Sequence, residues 1–200
     1  MILKKRFILV ISILLLSFIG INHSNSIEPD IFVQSTVNRA SKLLSENITK
    51  EEKIEKLKEI AKDTVDIRGI GLYTLGAARK NLSDEERSIY SEQFEKYFLK
   101  SFSSRLAEYT NPEIDVFSKQ VLNKNYTIVN SLLKATGERP EIKIDWRIYT
   151  KNPNDPLIRD LIIEGLSLAR TQKEEFASVL GSNDGDINAL FKTLEEFSNN

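Results

Sequence analysis

Two carboxylates four residues apart, Asp160 and Glu164, lie in the apolar run LIRDLIIE. Side chains of an extended strand alternate between faces, so this spacing puts both acids on one side. Paired carboxylates are the smallest set that can do general acid–base work, one holding a proton and the other accepting one. The same sequence offers a structural alternative, a salt-bridged outer face of a sheet, with Asp145, Arg147 and Arg159 as partners. Three residues after Glu164 stands Ser167, a nucleophile by residue type. Its surroundings, EGLSL, lack the G-x-S-x-G pattern of a nucleophile elbow, and it reads instead as the cap of a following helix. The glycines at 69, 71 and 76 lack G-x-G-x-x-G spacing and follow no strand, so they read as tight backbone packing rather than a phosphate cradle.

What the chain lacks narrows the chemistry further. There is no cysteine, the only histidine is His23 and the only methionine is Met1. The N-terminus runs from a short basic start, MILKKR, through an apolar stretch, Phe7 to Ile21, to the polar NHSNS. The apolar stretch is shorter than the roughly 18 residues of a spanning helix, and residues 1–26 read as a secretory signal peptide. No A-x-A site stands near residue 24, where only Ser24 and Ser26 are small, so retention as an N-terminal anchor is the alternative. Cleavage there leaves a chain without His, Cys or Met. That excludes a Ser-His-Asp triad, a cysteine nucleophile, a zinc site with nitrogen or sulfur ligands, covalent haem and disulfides. No metal or cofactor is expected.

The remaining stretch, residues 27–200, is about one domain's worth of chain. Loss of Lys4, Lys5 and Arg6 moves the formal net charge from −1 to −4. A mildly acidic chain of mixed signs argues against nucleic acid as a partner.

The elements that must position these residues are legible from periodicity. EPDIFVQSTVNRASKLLSE has Val33, Val37, Ala40 and Leu44 at helical spacing. Thr49 with Glu52 forms a capping box before the stripe Ile54, Leu57, Ile60 and Ala61. DIRGIGLYTLGAARKN reads as short, bent helical pieces. A second box, Ser83 with Glu86, opens the longest helix, roughly 84 to 109, whose face carries Tyr90, Phe94, Tyr97, Phe98, Phe102, Leu106 and Tyr109. After Asn111-Pro112 the period changes to two. EIDVFSKQV and NYTIVNSLLKA are strands joined by a tight turn near 123–125. In EIKIDWRIYT, Ile142, Ile144, Trp146 and Ile148 face one way and Lys143, Asp145, Arg147 and Tyr149 the other. LIRDLIIE is the fourth strand, with Leu161 and Ile163 on its inner face. Residues 167 to 181 form a helix with Gly181 as its C-cap. Asp186 caps the last helix, whose stripe is Ile187, Leu190, Phe191, Leu194 and Phe197. The fold class is therefore α+β: N-terminal helices, a four-stranded antiparallel curved sheet, and C-terminal helices that pack on the sheet. An aromatic helix set against an apolar sheet face makes either a solid core or a hydrophobic cavity.

Three stretches carry a resemblance: IDWRIY, DLIIEGLSLARTQKEEFASVL and LGAARKNLSDEERSIYSEQFEKYFLKSF. With the D-W-R strand, the D-x-x-x-E-G-x-S junction and Ser-x-x-x-Arg followed by spaced aromatics, in that arrangement along about residues 28 to 198, the chain resembles the MlaC, or toluene-tolerance, family. The resemblance implies a periplasmic phospholipid carrier. Family members hold the acyl chains in an apolar cavity between sheet and helices, with the head group toward solvent. They pass lipid between an outer-membrane lipoprotein complex and an inner-membrane ABC transporter complex, in the maintenance of outer-membrane lipid asymmetry. On this basis residues 27–200 form one lipid-binding domain that is not an enzyme.

The expected lining is Phe94, Phe98 and Phe102 of the long helix, Ile144, Trp146 and Ile148 of the third strand, Leu161 and Ile163 of the fourth, and Phe176 and Leu180. The two acids then become structural, tying the strand to Arg147 or accepting backbone N–H groups at the helix start. Two other functions compete: a cone-shaped α+β enzyme with Asp or Tyr as acid and base in an apolar pocket, and a secreted interaction module with a solid core.

Overall fold

A computed structural model of the chain describes residues 26–137 and 139–199. The expected leader lies outside the described residues, apart from Ser26. Four α-helices come first: α1 (Pro29–Leu44), α2 (Lys50–Thr64), α3 (Ile67–Thr74) and α4 (Asp84–Leu106), with a 3₁₀ turn at Ala78–Lys80. The strands β1 (Ile114–Asn123), β2 (Tyr126–Leu133), β3 (Ile142–Tyr149), β4 (Leu157–Ile163) and β5 (Leu166–Ser167) follow, and α5 (Leu168–Gly181) and α6 (Ile187–Asn199) close the chain. The strands form one antiparallel meander in sequence order. Among the described residues no helix is long and apolar enough to cross a membrane.

Both capping boxes form. Thr49 Oγ1 accepts from the Glu52 N–H while the Glu52 carboxylate accepts from the Thr49 N–H, and Ser83 and Glu86 repeat the arrangement. These bonds to the charged form hold both carboxyls below their ordinary range. Helix α4 stops at Leu106, short of the expected 109, as the chain bends toward Asn111, which adopts a positive φ of 47°.

The sheet has five strands, not four. Glu164 and Gly165 both take left-handed backbone angles, φ 49° and 82°, the geometry of a two-residue hairpin whose twist matches its strands. This hairpin pairs Ile163 with Leu166, so the corner expected at Gly165 is a strand reversal. Nor does Gly181 cap α5. The helix runs through it to Ser182, and the left-handed positions come later, at Asp184 and Gly185, where the Gly185 N–H donates to Leu180 O at 2.8 Å.

Register places Val129, Trp146 and Leu161 in one row and Ser131, Ile144 and Ile163 in the next. These residues face the helices. Trp146 is buried, and its indole N–H donates to Ser131 Oγ at 2.8 Å, while the Ser131 hydroxyl donates to Ile144 O at 3.0 Å. A fixed donor keeps a large amphipathic ring in one orientation. Behind the sheet face lie Val33, Val37, Ala61, Tyr90, Phe94 and Leu190. The glycines serve close packing. A Cβ on Gly69 would stand 2.5 Å from Arg159 Cζ, and one on Gly71 2.8 Å from the Phe94 ring.

β4 contains a bulge. Arg147 pairs with Asp160 but Ile148 pairs with Ile158, leaving Arg159 as the extra residue. Its guanidinium is bound to Asp66, donates to the Tyr126 hydroxyl and lies over the Tyr149 ring, tying β4 to the start of α3.

Candidate functional site

Helix α4 presents one continuous stripe to the sheet: Phe94, Tyr97, Phe98, Ser101, Phe102 and Arg105, at the i, i+3, i+4, i+7 spacing of a single face. Helix α5 presents the facing stripe Leu168, Thr171, Gln172 and Glu175. Between them, floored by Trp146 of β3 and Ile158 and Leu161 of β4, is a cavity of about 220 Å³. Its inner part is aromatic. Phe98 and Phe102 stack at 5.6 Å and Phe94 meets Phe98 at 6.1 Å, while Phe176 packs edge-on to Phe94 at 6.2 Å from the core.

A polar chain crosses from one helix to the other. The Tyr97 hydroxyl donates to Gln172 Oε1 at 2.6 Å, and Gln172 Nε2 donates to Glu175 Oε2 at 2.9 Å. Burial, and then the nearby Glu175 carboxylate, push the Tyr97 hydroxyl above its ordinary pKa, so it is a donor that keeps its proton.

The two acids do not form a dyad. Asp160 is only 4% exposed. It stands on the Arg147 side of β4, as alternation requires, but the turn into α5 closes over it. One oxygen accepts from the Ser167 hydroxyl at 2.6 Å, the other from the Ala169 N–H at 3.0 Å, and Arg147 Nη1 is 3.8 Å away. Ser167 Oγ in turn accepts from the Arg170 N–H at 3.1 Å. Proton and lone pair of Ser167 are both engaged in starting α5, which leaves no free nucleophile. Glu164 is exposed at the hairpin, where its carboxylate accepts from the Lys143 N–H. Glu164→Gln is expected to cost under about 1 kcal/mol in a urea titration, because a neutral amide oxygen can still accept that bond and only the charge assistance is lost. Among the described residues no group of three or more His, Cys, Asp or Glu could hold a metal ion.

The family model described as MlaC protein matches residues 34–196. The chain belongs to the MlaC family. Among solved structures, its fold is similar to that of a phospholipid-binding protein from Ralstonia solanacearum in complex with a phospholipid. The TM-score is 0.73 at 18% identity, over 86% of this chain and 97% of that one. At this identity the likeness is one of fold. No curated protein matches the sequence.

Within this MlaC fold the residues expected as lining divide. Phe94, Phe98, Phe102, Trp146 and Leu161 surround the cavity. Ile144, Ile148, Ile163, Phe176 and Leu180 do not. Ile148 is wholly buried against Ile158 and Thr127, Ile163 pairs with Ile144 and Leu166, and Phe176 and Leu180 pack in the solid core. Residues absent from that expectation also line the cavity: Tyr97, Ser101, Arg105, Gln172 and Glu175. Tyr97, Ser101 and Arg105 share the helical face of Phe94, Phe98 and Phe102, so spacing marks them as lining where apolarity does not.

Proposed function

We propose that this protein is a periplasmic phospholipid carrier, with residues 1–26 as its leader and residues 27–200 as one lipid-binding domain. The acyl chains enter the cavity between α4, α5 and the sheet, and the head group stays toward solvent. It moves lipid between an outer-membrane lipoprotein complex and an inner-membrane ABC transporter complex. The observation that carries this reading is an aromatic cavity, opening between two helices, in a chain of the MlaC family.

The physical chemistry of carriage supports it. Two acyl chains contain about 30 methylenes, each worth about 0.8 kcal/mol on leaving water, so tens of kcal/mol separate a solvated lipid from a buried one. A carrier must therefore offer apolar surroundings close to those of a bilayer, which makes transfer an exchange. The cavity of about 220 Å³ lies below the range of about 300–1,000 Å³ common for ligand sites, so a loaded form requires α4 and α5 to part. The Tyr97–Gln172 bond is the polar contact that such opening breaks. Catalysis by Asp or Tyr is less well supported: Asp160 has its oxygens filled and Tyr97 holds its proton more tightly than a free phenol.

Native mass spectrometry tests the reading. The chain is expressed with its own N-terminal segment in a Gram-negative host, purified without detergent and then extracted with solvent. A mass excess that extracts as phospholipid is expected. A bare polypeptide mass, unchanged after incubation with phospholipid vesicles, would refute it.

A further inference from the structure

The cavity has one cationic side chain in its lining, Arg105, at the last stripe position of α4. Four of the described arginines pair with carboxylates: Arg39 with Asp63, Arg87 with Asp84, Arg147 with Asp160 and Arg159 with Asp66. The Arg105 guanidinium makes no hydrogen bond or ion pair with any described residue. It is exposed at the rim of the cavity whose lining it joins. The carboxylates around the cavity are occupied. Asp160 accepts from Ser167 and Ala169, and Glu175 accepts from Gln172.

An acyl chain laid along Phe98 and Phe102 ends where the aromatic wall gives way to Arg105 and water. The group attached there in a glycerophospholipid is a phosphodiester, a permanent anion with paired oxygens. A guanidinium fork matches such oxygens two at a time, and its plane tolerates an apolar surround better than an ammonium does. We propose that Arg105 binds the phosphodiester of the carried lipid and so sets the preference for phospholipid over uncharged lipids with the same chains. This rests on the carrier reading above. A rival role, complementing the negative end of the α4 dipole, would be indifferent to the lipid.

The full chain, stripped of lipid, is offered mixed vesicles containing phosphatidylglycerol and diacylglycerol of identical chains, and the bound lipids are counted by native mass spectrometry. Wild type should prefer the phospholipid by about fivefold, the scale of one charge-assisted bond at a partly screened site, with the preference shrinking as salt rises. Arg105→Gln should lose the preference, taking up the two lipids in proportion to their share of the vesicles, and Arg105→Lys should keep part of it. A wild type that loads lipid while Arg105→Gln keeps the same preference overturns the assignment and leaves the carrier reading standing. A wild type that takes up neither lipid overturns the carrier reading and the assignment with it. Inorganic phosphate should not compete at equal concentration; if it displaces the phospholipid, the site is one for free anions and the assignment fails.

Discussion

Asp160→Ala is expected to lower the free energy of unfolding by about 3 kcal/mol, read from the urea midpoint at constant slope. The carboxylate is 4% exposed and accepts from the Ser167 hydroxyl and the Ala169 N–H, so its removal strands a buried backbone donor at the first turn of α5. An unsatisfied buried donor costs about 1–3 kcal/mol. The change also takes away the carboxylate nearest Arg147, whose Nε is already buried without a partner. Breaking a buried ion pair costs about 3–5 kcal/mol, but the Arg147 side chain is 37% exposed, so water recovers part of that. Asp160→Asn should cost about half as much, since an amide oxygen keeps one of the two bonds. A loss below about 1 kcal/mol for the alanine variant would remove the structural role assigned to this acid. A loss of bound lipid at unchanged stability would make it a binding residue instead.

This acid also marks where reading from sequence stops. Caps are local: Thr49 with Glu52 and Ser83 with Glu86 specify their helix starts within four residues, and both form as read. Alternation is nearly as local, and it puts Trp146 and Leu161 on the helix-facing side. The bulge at Arg159 and the burial of Asp160 depend on how β4, β5 and α5 meet, which no periodicity encodes. The fifth strand depends on two left-handed residues, and only Gly165 announced one. The division of lining from core depends on how far α4 stands from α5. Phe176 and Phe98 are equivalent as apolar side chains on amphipathic helices. One fills a closed joint against Phe94 and Tyr97, and the other faces open space. Apolarity selects both, and only geometry tells them apart.

Ser101→Trp is expected to reduce co-purifying phospholipid at least tenfold while leaving the thermal midpoint unchanged or a few degrees higher. Ser101 lies on the cavity stripe of α4, one position before Phe102, and is half-buried, so a larger side chain there extends into open volume rather than into packed atoms. Small-to-large changes in a filled core cost about 1–3 kcal/mol through strain, whereas the same change into a cavity gains apolar burial worth about 2 kcal/mol. The lipid bears the whole of that difference. The cavity of about 220 Å³ must widen before it holds acyl chains, and an indole already inside it both takes the space and stabilises the closed arrangement of α4 and α5. Each 1.4 kcal/mol in favour of the closed form lowers the loaded fraction about tenfold under limiting lipid. Glu95→Trp, on the exposed side of the same helix, is the control for a bulky ring that does not enter the cavity. It should load like wild type. If Ser101→Trp also loads like wild type, the acyl chains lie elsewhere than between α4 and α5. If both variants fail to load, the indole acts through the surface of α4 and the cavity has no part in the effect.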